Sequence, residues 1–286
     1  MNATDLTNGF LLGGLYVLVA LGLSLAFGVM RLINLAHGAL VIGAAYLALW
    51  LFTEAGLGPF AALPLVVVSA ALFGYLLQRM LLTHLMLQSF LLGIVGTFGL
   101  AIIAETAFAV GFTSNTQSLP SGLGTAGFTV LGTTIRGGLL LAFGLAVVLS
   151  LLLHVGIRRT RAGAMLRAAA ADPRTAQLMG INVPNVFALT LALAAGLAAL
   201  AGVLEGVTAS FTPTSDQAIL LTGIAVVVLG GVGNVLGTLV AGLGLGLVQA
   251  IGIGVFGGGY SNLVVYVVFF IALTLRPAGL FERRSW

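Results

Sequence analysis

Cysteine is absent from this sequence of 286 residues, and charged residues make up only 6% of it. Without cysteine the chain can form no disulfide, no thiolate metal site and no cysteine nucleophile. The low charge accompanies a hydrophobic content of 60% and a mean hydropathy of +1.19. Apolar runs therefore repeatedly exceed the roughly 18 to 20 residues that one helical crossing of a bilayer needs, which indicates an integral membrane protein.

Motifs for catalysis and nucleotide binding are also missing. The three histidines are scattered, and no histidine–carboxylate set has the spacing of metal ligands. No GxxxxGK[ST] loop is present, so the chain is not expected to hydrolyse ATP, to bind a cofactor or to be an enzyme. A pI near 10.1 would suggest nucleic acid in a soluble protein, but here the arginines stand at the ends of apolar blocks, so no nucleic-acid partner is expected.

Nine apolar blocks follow one another along the chain, which predicts an all-α bundle of about eight or nine transmembrane helices in a single domain, residues 1–286. The first block has no basic residue before it and is too long for a signal-peptide core, so it is expected to be retained. The second and seventh blocks are the least certain, since either can be re-entrant. The blocks lie near residues 9–29, 35–52, 59–77, 90–110, 138–155, 186–208, 218–229, 235–255 and 262–275.

The eleven arginines predict the orientation of these blocks. With the N-terminus outside, ten arginines fall on the cytoplasmic side and only Arg136 falls outside, as the positive-inside bias requires. The C-terminus is then cytoplasmic. Residues 112–136 form an outer, periplasmic loop rich in Gly, Ser and Thr, which indicates a turn-rich segment with a hairpin. This loop is either a plain connector or a contact with an outside partner.

Residues 158–185 form the most polar stretch between two blocks, and five of the eleven arginines lie in its first part, residues 158–174. The run Ala164–Ala171 has strong helix propensity, so this cytoplasmic segment is expected to be structured. A second short helix is predicted from Asp172 to Gly180, because glycine accommodates a left-handed cap at low cost. The alternative, a basic segment resting on anionic membrane lipid, explains Asp172-Pro173 poorly.

The segment Arg31–Gly38 separates the first two blocks without a proline or a long loop. It is interpreted either as a broken helix that reaches into the membrane or as a tight inner turn. Unwound backbone suits a substrate path because it offers free N–H and C=O groups where no water competes. Under the first interpretation, the residues of the path are Asn34, His37 and Gly38.

Two carboxylates interrupt apolar blocks, where an unpaired charge is costly. Glu205 lies beside glycines near the outer face, where ordinary hydration is plausible. Glu105 lies deeper and is therefore the preferred path residue. The alternative role for each is a helix–helix hydrogen bond, and a proton relay is a further one.

Small residues recur at four-residue spacing towards the C-terminus, and such faces let helices approach closely in lipid. They serve either packing within the chain or a subunit interface. The residues singled out are Gly233, Gly237, Gly242 and Gly246.

Several motifs resemble one transporter family over nearly the whole chain. The segment Arg161–Asn185 resembles the coupling segment of ABC importer permeases, with Ala176 and Gly180 at the family's Ala-xxx-Gly positions. INLAHG at Ile33–Gly38, the glycine-rich Val226–Gly246 and LRPAGLF at Leu275–Phe281 complete a pattern similar to the branched-chain amino-acid ABC permeases of the LivH type.

This resemblance implies the function and the partners. The chain would be an inner-membrane permease forming half of the path for branched-chain or related hydrophobic amino acids, with a second, related permease in a heterodimer. Two cytoplasmic ATPase subunits would use ATP and grip the coupling residues Asp172, Ala176 and Gly180, and a periplasmic binding protein would deliver substrate. The alternatives are import of urea or short amides by the same machinery and, because of the membrane carboxylates, an ion-coupled secondary transporter.

Overall fold

The computed structural model describes residues 3–125, 127–130, 133–276 and 279–281, and these residues form a helical bundle with one small hairpin, which confirms the all-α prediction. Pro277, Ala278, Arg283 and Arg284 lie outside the described residues. The helices are α1 Ala3–Met30, α2 His37–Ala55, α3 Pro59–Leu77, α4 Thr83–Gln88, α5 Phe90–Phe112, α6 Gly122–Thr125, α7 Gly137–Arg159, α8 Arg161–Ala171, α9 Pro173–Leu178, α10 Val183–Thr208, α11 Ser215–Gly230, α12 Val235–Phe256 and α13 Ser261–Leu275, with a π-helical turn at Gln78–Leu82 between α3 and α4.

Eight helices of the described chain are long and apolar enough to cross a membrane, in agreement with the predicted eight or nine spans. The seventh apolar block instead forms α11, which has only 16 residues. Each of the other apolar blocks overlaps one of the eight helices.

Helix α1 is the central helix of the bundle, and most of its residues are buried. It packs most closely against α12, where a Cβ atom on Gly246 would lie 2.4 Å from the backbone nitrogen of Gly13. A Cβ on Gly13 would in turn lie 2.6 Å from the Cα atom of Leu243. Only hydrogen side chains permit this approach, so these glycines bring the two backbones into contact.

Two non-helical segments lead into helices that begin in the interior of the bundle. Residues 31–36 follow α1, yet α2 begins with the fully buried His37, whose ring bonds the carbonyl of Val19. Val19 lies eleven residues before the end of α1, roughly 16 Å along the helix axis. The chain therefore turns back into the bundle before α2 begins, which favours the broken-helix interpretation.

A second break mirrors the first. Residues 209–214 follow α10, and α11 begins beside the start of α2, because the Cα atom of Gly38 faces the carbonyl oxygen of Asp216. The N-termini of α2 and α11 thus meet in the interior. Helices α2 and α11 correspond to the second and seventh apolar blocks. The two blocks that the sequence left least certain as spans are therefore the two whose helices begin inside the bundle.

The loop between α5 and α7 contains the predicted hairpin. Strands β1 Gly127–Val130 and β2 Thr133–Arg136 pair antiparallel. Asn8 attaches the hairpin to α1, since its side-chain amide donates to the carbonyl of Thr134 at 2.9 Å. The hairpin therefore stands at the end of the bundle where α1 begins.

Candidate functional site

Two regions at opposite ends of the bundle carry the polar chemistry of the described chain. One is a large cavity at the end where α1 begins. The other is the polar segment that contains α8 and α9, which packs against α1 near Gly28 and Val29. Between them lies the interior meeting point of α2 and α11.

The polar segment is attached to the bundle through α8. Thr160 caps α8 by accepting a hydrogen bond from the N–H of Gly163 at 3.0 Å. A Cβ on Gly163 would lie 2.2 Å from the carbonyl oxygen of Ile157, and the guanidinium of Arg167 donates to that same carbonyl. Helix α8 is therefore held against the end of α7 by backbone contact.

Asp172 begins α9 as its N-cap. Its carboxylate accepts hydrogen bonds from the N–H of Arg174 at 2.9 Å and from the hydroxyl of Thr175 at 2.5 Å. The bond from the Thr175 hydroxyl, followed by the N–H bonds from Thr175 and Arg174, lowers the pKa of Asp172 below its ordinary value of 3.8. The cap is thus fully formed at neutral pH, and its contribution to stability is lost only as the pH falls through this lowered pKa.

Gly180 ends α9, as the sequence predicts. Its φ angle is +84°, its N–H donates to the carbonyl of Gln177, and the N–H of Ile181 donates to the carbonyl of Ala176. This pair of bonds is a Schellman motif, which requires a left-handed residue at the position of Gly180. Ala176 is buried together with Val183, so the Ala-xxx-Gly spacing places one residue in the core and one in the cap.

The end of α9 presents two apolar side chains to the outside. Leu178 is 87% exposed and Met179 is 79% exposed. Leu178 is the last residue of α9 and Met179 is its C-cap, in a segment that is fixed at one end by Asp172 and at the other by Gly180. Sequence reasoning did not single them out, although two apolar residues directly before a cap glycine in a polar segment are a readable signal.

The cavity has a volume of about 680 Å³, within the range of roughly 300 to 1,000 Å³ found for small-molecule sites. It extends along α1 from Asp5 to Val19, about 21 Å of helix. Its wall is built by α1, α10, α11 and α12, with the starts of α7 and α13 at the rim. The apolar lining includes Leu12, Leu15, Val19, Leu139, Ile219 and Ile253, and the polar lining includes Asp5, Asn8, Tyr16, Arg136, Glu205, Thr208, Thr222, Gln249 and Asn262.

Glu205, on α10, is the deeper of the two acidic residues in the cavity lining, the other being Asp5. It is half-buried, and none of the described residues forms a hydrogen bond or an ion pair with its carboxylate. The hydroxyl of Tyr16 lies near Glu205, but it donates its hydrogen bond to the side-chain carbonyl of the buried Gln249. The carboxylate is therefore left facing the cavity.

The floor of the cavity rests on the break between α1 and α2. The Nε2 atom of His37 lies 3.0 Å from the carbonyl oxygen of Val19, which belongs to the lining. Gly22 leaves room for the imidazole, since a Cβ there would lie 2.9 Å from its Cε1 atom. His37 thus lies directly behind the floor and outside the cavity.

Asn34, Gly38 and Glu105 lie in the same interior region, and none of them lines the cavity. Asn34 is fully buried, and its side-chain oxygen accepts from the N–H of Ala36 at 3.1 Å. Ala36 packs against Ala101, one helical turn before Glu105. The charge of Glu105 interacts with that of Asp216, which in turn contacts Gly38. Asn34, His37 and Gly38 therefore lie at the break behind the floor, and Glu105 lies on α5, which packs against the start of α2.

The four glycines singled out for packing all contact helices of this chain. Gly242 and Gly246 face α1, Gly233 lies against Gly28, and a Cβ on Gly237 would lie 1.9 Å from the carbonyl oxygen of Gly230. Packing within the chain thus accounts for their size.

The described residues contain no candidate metal-binding site, because no group of three or more His, Asp or Glu residues lies close enough to hold an ion. Asp216 keeps one buried carboxylate oxygen without a hydrogen-bond partner among the described residues. Sequence reasoning missed Tyr16, Gln249 and Arg136 as cavity residues. Tyr16 and Gln249 carried a usable signal, since each is an isolated polar residue inside an apolar block.

Comparison with known proteins covers almost the whole chain. Residues 6–273 match the family model described as the permease component of branched-chain amino acid transport systems. The chain is 30% identical to the high-affinity branched-chain amino acid transport system permease protein BraD of Pseudomonas aeruginosa, over 98% of this chain and 95% of BraD.

Two further relatives match this chain over nearly the same length, at lower identity. The permease protein LivH of Escherichia coli, from a high-affinity branched-chain amino acid transport system, is 28% identical over 96% of this chain and 94% of LivH. A probable branched-chain amino acid transport permease protein LivH of Methanocaldococcus jannaschii is 24% identical over 96% of this chain and 91% of that protein. No solved structure matches the chain.

Proposed function

Because the chain belongs to the family of permease components of branched-chain amino acid transport systems, we propose that it is a membrane subunit of an ABC importer for branched-chain or related hydrophobic amino acids. The observation that carries this proposal is the family match over residues 6–273. The bundle has the parts that such a subunit needs, namely a substrate-sized cavity at one end and a fixed polar segment at the other.

The polar segment is the site at which ATPase subunits act in this proposal. Asp172 and Gly180 fix the two ends of α9, and Ala176 fixes it to the core. The exposed Leu178 and Met179 supply the apolar surface that a cytoplasmic subunit would cover. Closure of the ATPases would then move the bundle as a rigid body through α8, which is held against α7.

The partners follow from the family and from the composition of the chain. Two cytoplasmic ATPase subunits use the ATP, since this sequence has no phosphate-cradling loop, and the chain itself binds no cofactor and is not an enzyme. A second, related permease completes the path as a heterodimer, and a periplasmic binding protein delivers the substrate. Each permease then forms half of the path.

The subunit lies in the bacterial inner membrane with its N-terminus outside. Support comes from the position of the described ends, since Asp5 lines the cavity while Phe281 accepts a hydrogen bond from Asn234 at the end that carries α8. The arginine distribution places that second end in the cytoplasm. The cavity then opens to the periplasm, and Asn34, His37, Gly38 and Glu105 form the next stretch of the path.

Affinity purification of the chain from its native membrane, followed by uptake of radiolabelled leucine in proteoliposomes, tests the proposal. Two ATPase subunits and a second permease are expected to co-purify, and uptake is expected to require ATP and the binding protein. Competition by urea or acetamide, but not by valine or isoleucine, would assign the machinery to another solute. Uptake by this chain alone, driven by an ion gradient and indifferent to ATP, would contradict the proposal.

A further inference from the structure

The carboxylate of Glu205 lies in a setting that calls for a cationic ligand. It faces the cavity without a hydrogen bond or ion pair from any described residue. The lining that it shares also includes the apolar side chains of Leu12, Leu15 and Ile219. A carboxylate in such surroundings is costly unless a positive group or a hydrogen-bond donor meets it.

Among the described residues of the lining, Arg136 is the one with a basic side chain, and it lies closer to the mouth of the cavity than Glu205. It directly precedes α7, where a Cβ on Gly138 would lie 2.7 Å from the methyl group of Thr208. Glu205 lies three residues before Thr208 on α10, roughly 4.5 Å further into the bundle. The cavity therefore has the acid Glu205 at depth, the base Arg136 and the acid Asp5 towards the mouth, and a lining that is partly apolar.

We propose that Glu205 binds the ammonium group of a zwitterionic α-amino acid with an aliphatic side chain, so that this permease itself recognises its substrate by charge. The carboxylate of the ligand is oriented towards Arg136 at the mouth. The side chain lies on the apolar wall of Leu15, Val19 and Ile219. The class of ligand rests on the proposed function, whereas the position of the site rests on the cavity alone.

Other ligands fit this lining less well. An uncharged amide such as urea would leave the Glu205 carboxylate without a counter-charge. A bare metal ion needs several oxygen ligands, and the described residues bring no group of three acidic or histidine side chains together. A zwitterion places its ammonium group on Glu205, its carboxylate towards Arg136 and its apolar part on the apolar portion of the wall.

The absence of cysteine from the chain permits a direct binding measurement. Ala218 is exposed and lines the cavity, so Ala218→Cys creates a thiol that a small neutral reagent, N-ethylmaleimide, can alkylate in membrane vesicles. L-leucine is expected to slow this alkylation several-fold. Ala55→Cys, at the exposed end of α2 and outside the cavity, is the matched control and is expected to react at the same rate with and without leucine.

Charge recognition is tested on the Ala218→Cys background. Glu205→Gln is expected to abolish the protection by leucine, whereas Glu205→Asp retains part of it. Glu54→Gln, which removes an exposed carboxylate outside the cavity, leaves it unchanged. An equal alkylation rate without ligand in all variants shows that the cavity is intact. Among the ligands, 4-methylpentanoate, which has the shape of leucine without the ammonium group, is expected to give no protection.

Three results would overturn the proposal: no protection of the Ala218→Cys thiol by leucine, equal protection in Glu205→Gln, or equal protection by 4-methylpentanoate. The labelling needs neither ATP nor the partner subunits, so its outcome is independent of the uptake assay. A chain protected by leucine that shows no ATP-dependent uptake would contradict the proposed function and leave this binding site standing.

Discussion

Gly180 is the residue whose identity the backbone specifies most strictly in the segment between α7 and α10. Its φ angle of +84° belongs to the left-handed region, yet a Cβ atom there would meet nothing within 4 Å. The requirement is therefore conformational rather than steric, and it amounts to about 1 to 2 kcal/mol for a residue other than glycine. A side chain at this position would strain the end of α9 without disturbing the core.

Gly180→Ala is accordingly expected to reduce substrate-stimulated ATP hydrolysis by the assembled complex while leaving the complex intact. Gly156→Ala is the matched control, because Gly156 also has open space for a Cβ but has no positive φ. The measurement is the ratio of ATPase rates with and without loaded binding protein. Unchanged stimulation in Gly180→Ala, and also in the bulkier Gly180→Val, would show that α9 does not couple the subunits.

At the scale of elements, the contact between α1 and α12 depends on which face of α12 carries glycine. Gly246 faces α1, where a Cβ would lie 2.4 Å from the carbonyl oxygen of Gly9, whereas a Cβ on Gly244 would meet nothing within 4 Å. The two glycines stand two residues apart on the same helix. They therefore separate the cost of close packing from the effect of glycine on the helix itself.

Gly246→Ala is expected to destabilise the purified protein by about 1 to 3 kcal/mol, because the added methyl group pushes two backbones apart. Gly244→Ala is expected to have no destabilising effect. The midpoint of thermal unfolding in detergent, followed by size-exclusion chromatography, measures both variants. Equal midpoints would mean that α1 and α12 can separate without loss.

Local features of the fold were predictable, and the cavity was not. The short helix that begins near Asp172, its end at Gly180 and the hairpin before Arg136 each depend on a few neighbouring residues, so the sequence indicated all three. The cavity instead joins helices that lie more than 100 residues apart in sequence. Small faces recur on most of these helices, and spacing alone does not choose among the possible pairings.

The two membrane carboxylates illustrate the same limit. Sequence position favoured Glu105 over Glu205, because Glu205 stands nearer the end of its apolar block. The structure places Glu205 in the cavity wall and Glu105 on α5 outside that wall, where its charge interacts with that of Asp216. Depth along a helix was readable from the sequence, but the direction in which each side chain points depends on the neighbouring helices.

At the scale of the whole molecule, the cavity and the segment with α9 lie at opposite ends, and the breaks before α2 and α11 lie between them. Under the proposed function, a substrate that leaves the cavity through its floor would meet His37, which bonds Val19 there. Glu105 lies outside the cavity lining. Its role is therefore expected in the step after binding.

Glu105→Gln is expected to lower the rate of leucine uptake by proteoliposomes at saturating substrate, with little change in the protection of Ala218→Cys by leucine. Removing the charge alters the polar cluster with Asp216 without touching the cavity wall. Glu54→Gln serves as the control carboxylate. If Glu105→Gln transports leucine at the normal rate, Glu105 has a structural role or none.

The glycine contact between α1 and α12 also has a consequence for biosynthesis. Helix α1 is made first, but its partner surface around Gly246 is made about 230 residues later, which at 5 to 20 residues per second takes roughly 10 to 50 s. During that interval the glycine face of α1 is covered by lipid. Because its surface is nearly uniformly apolar, α1 is expected to be stable in the bilayer as a single span before α12 is made.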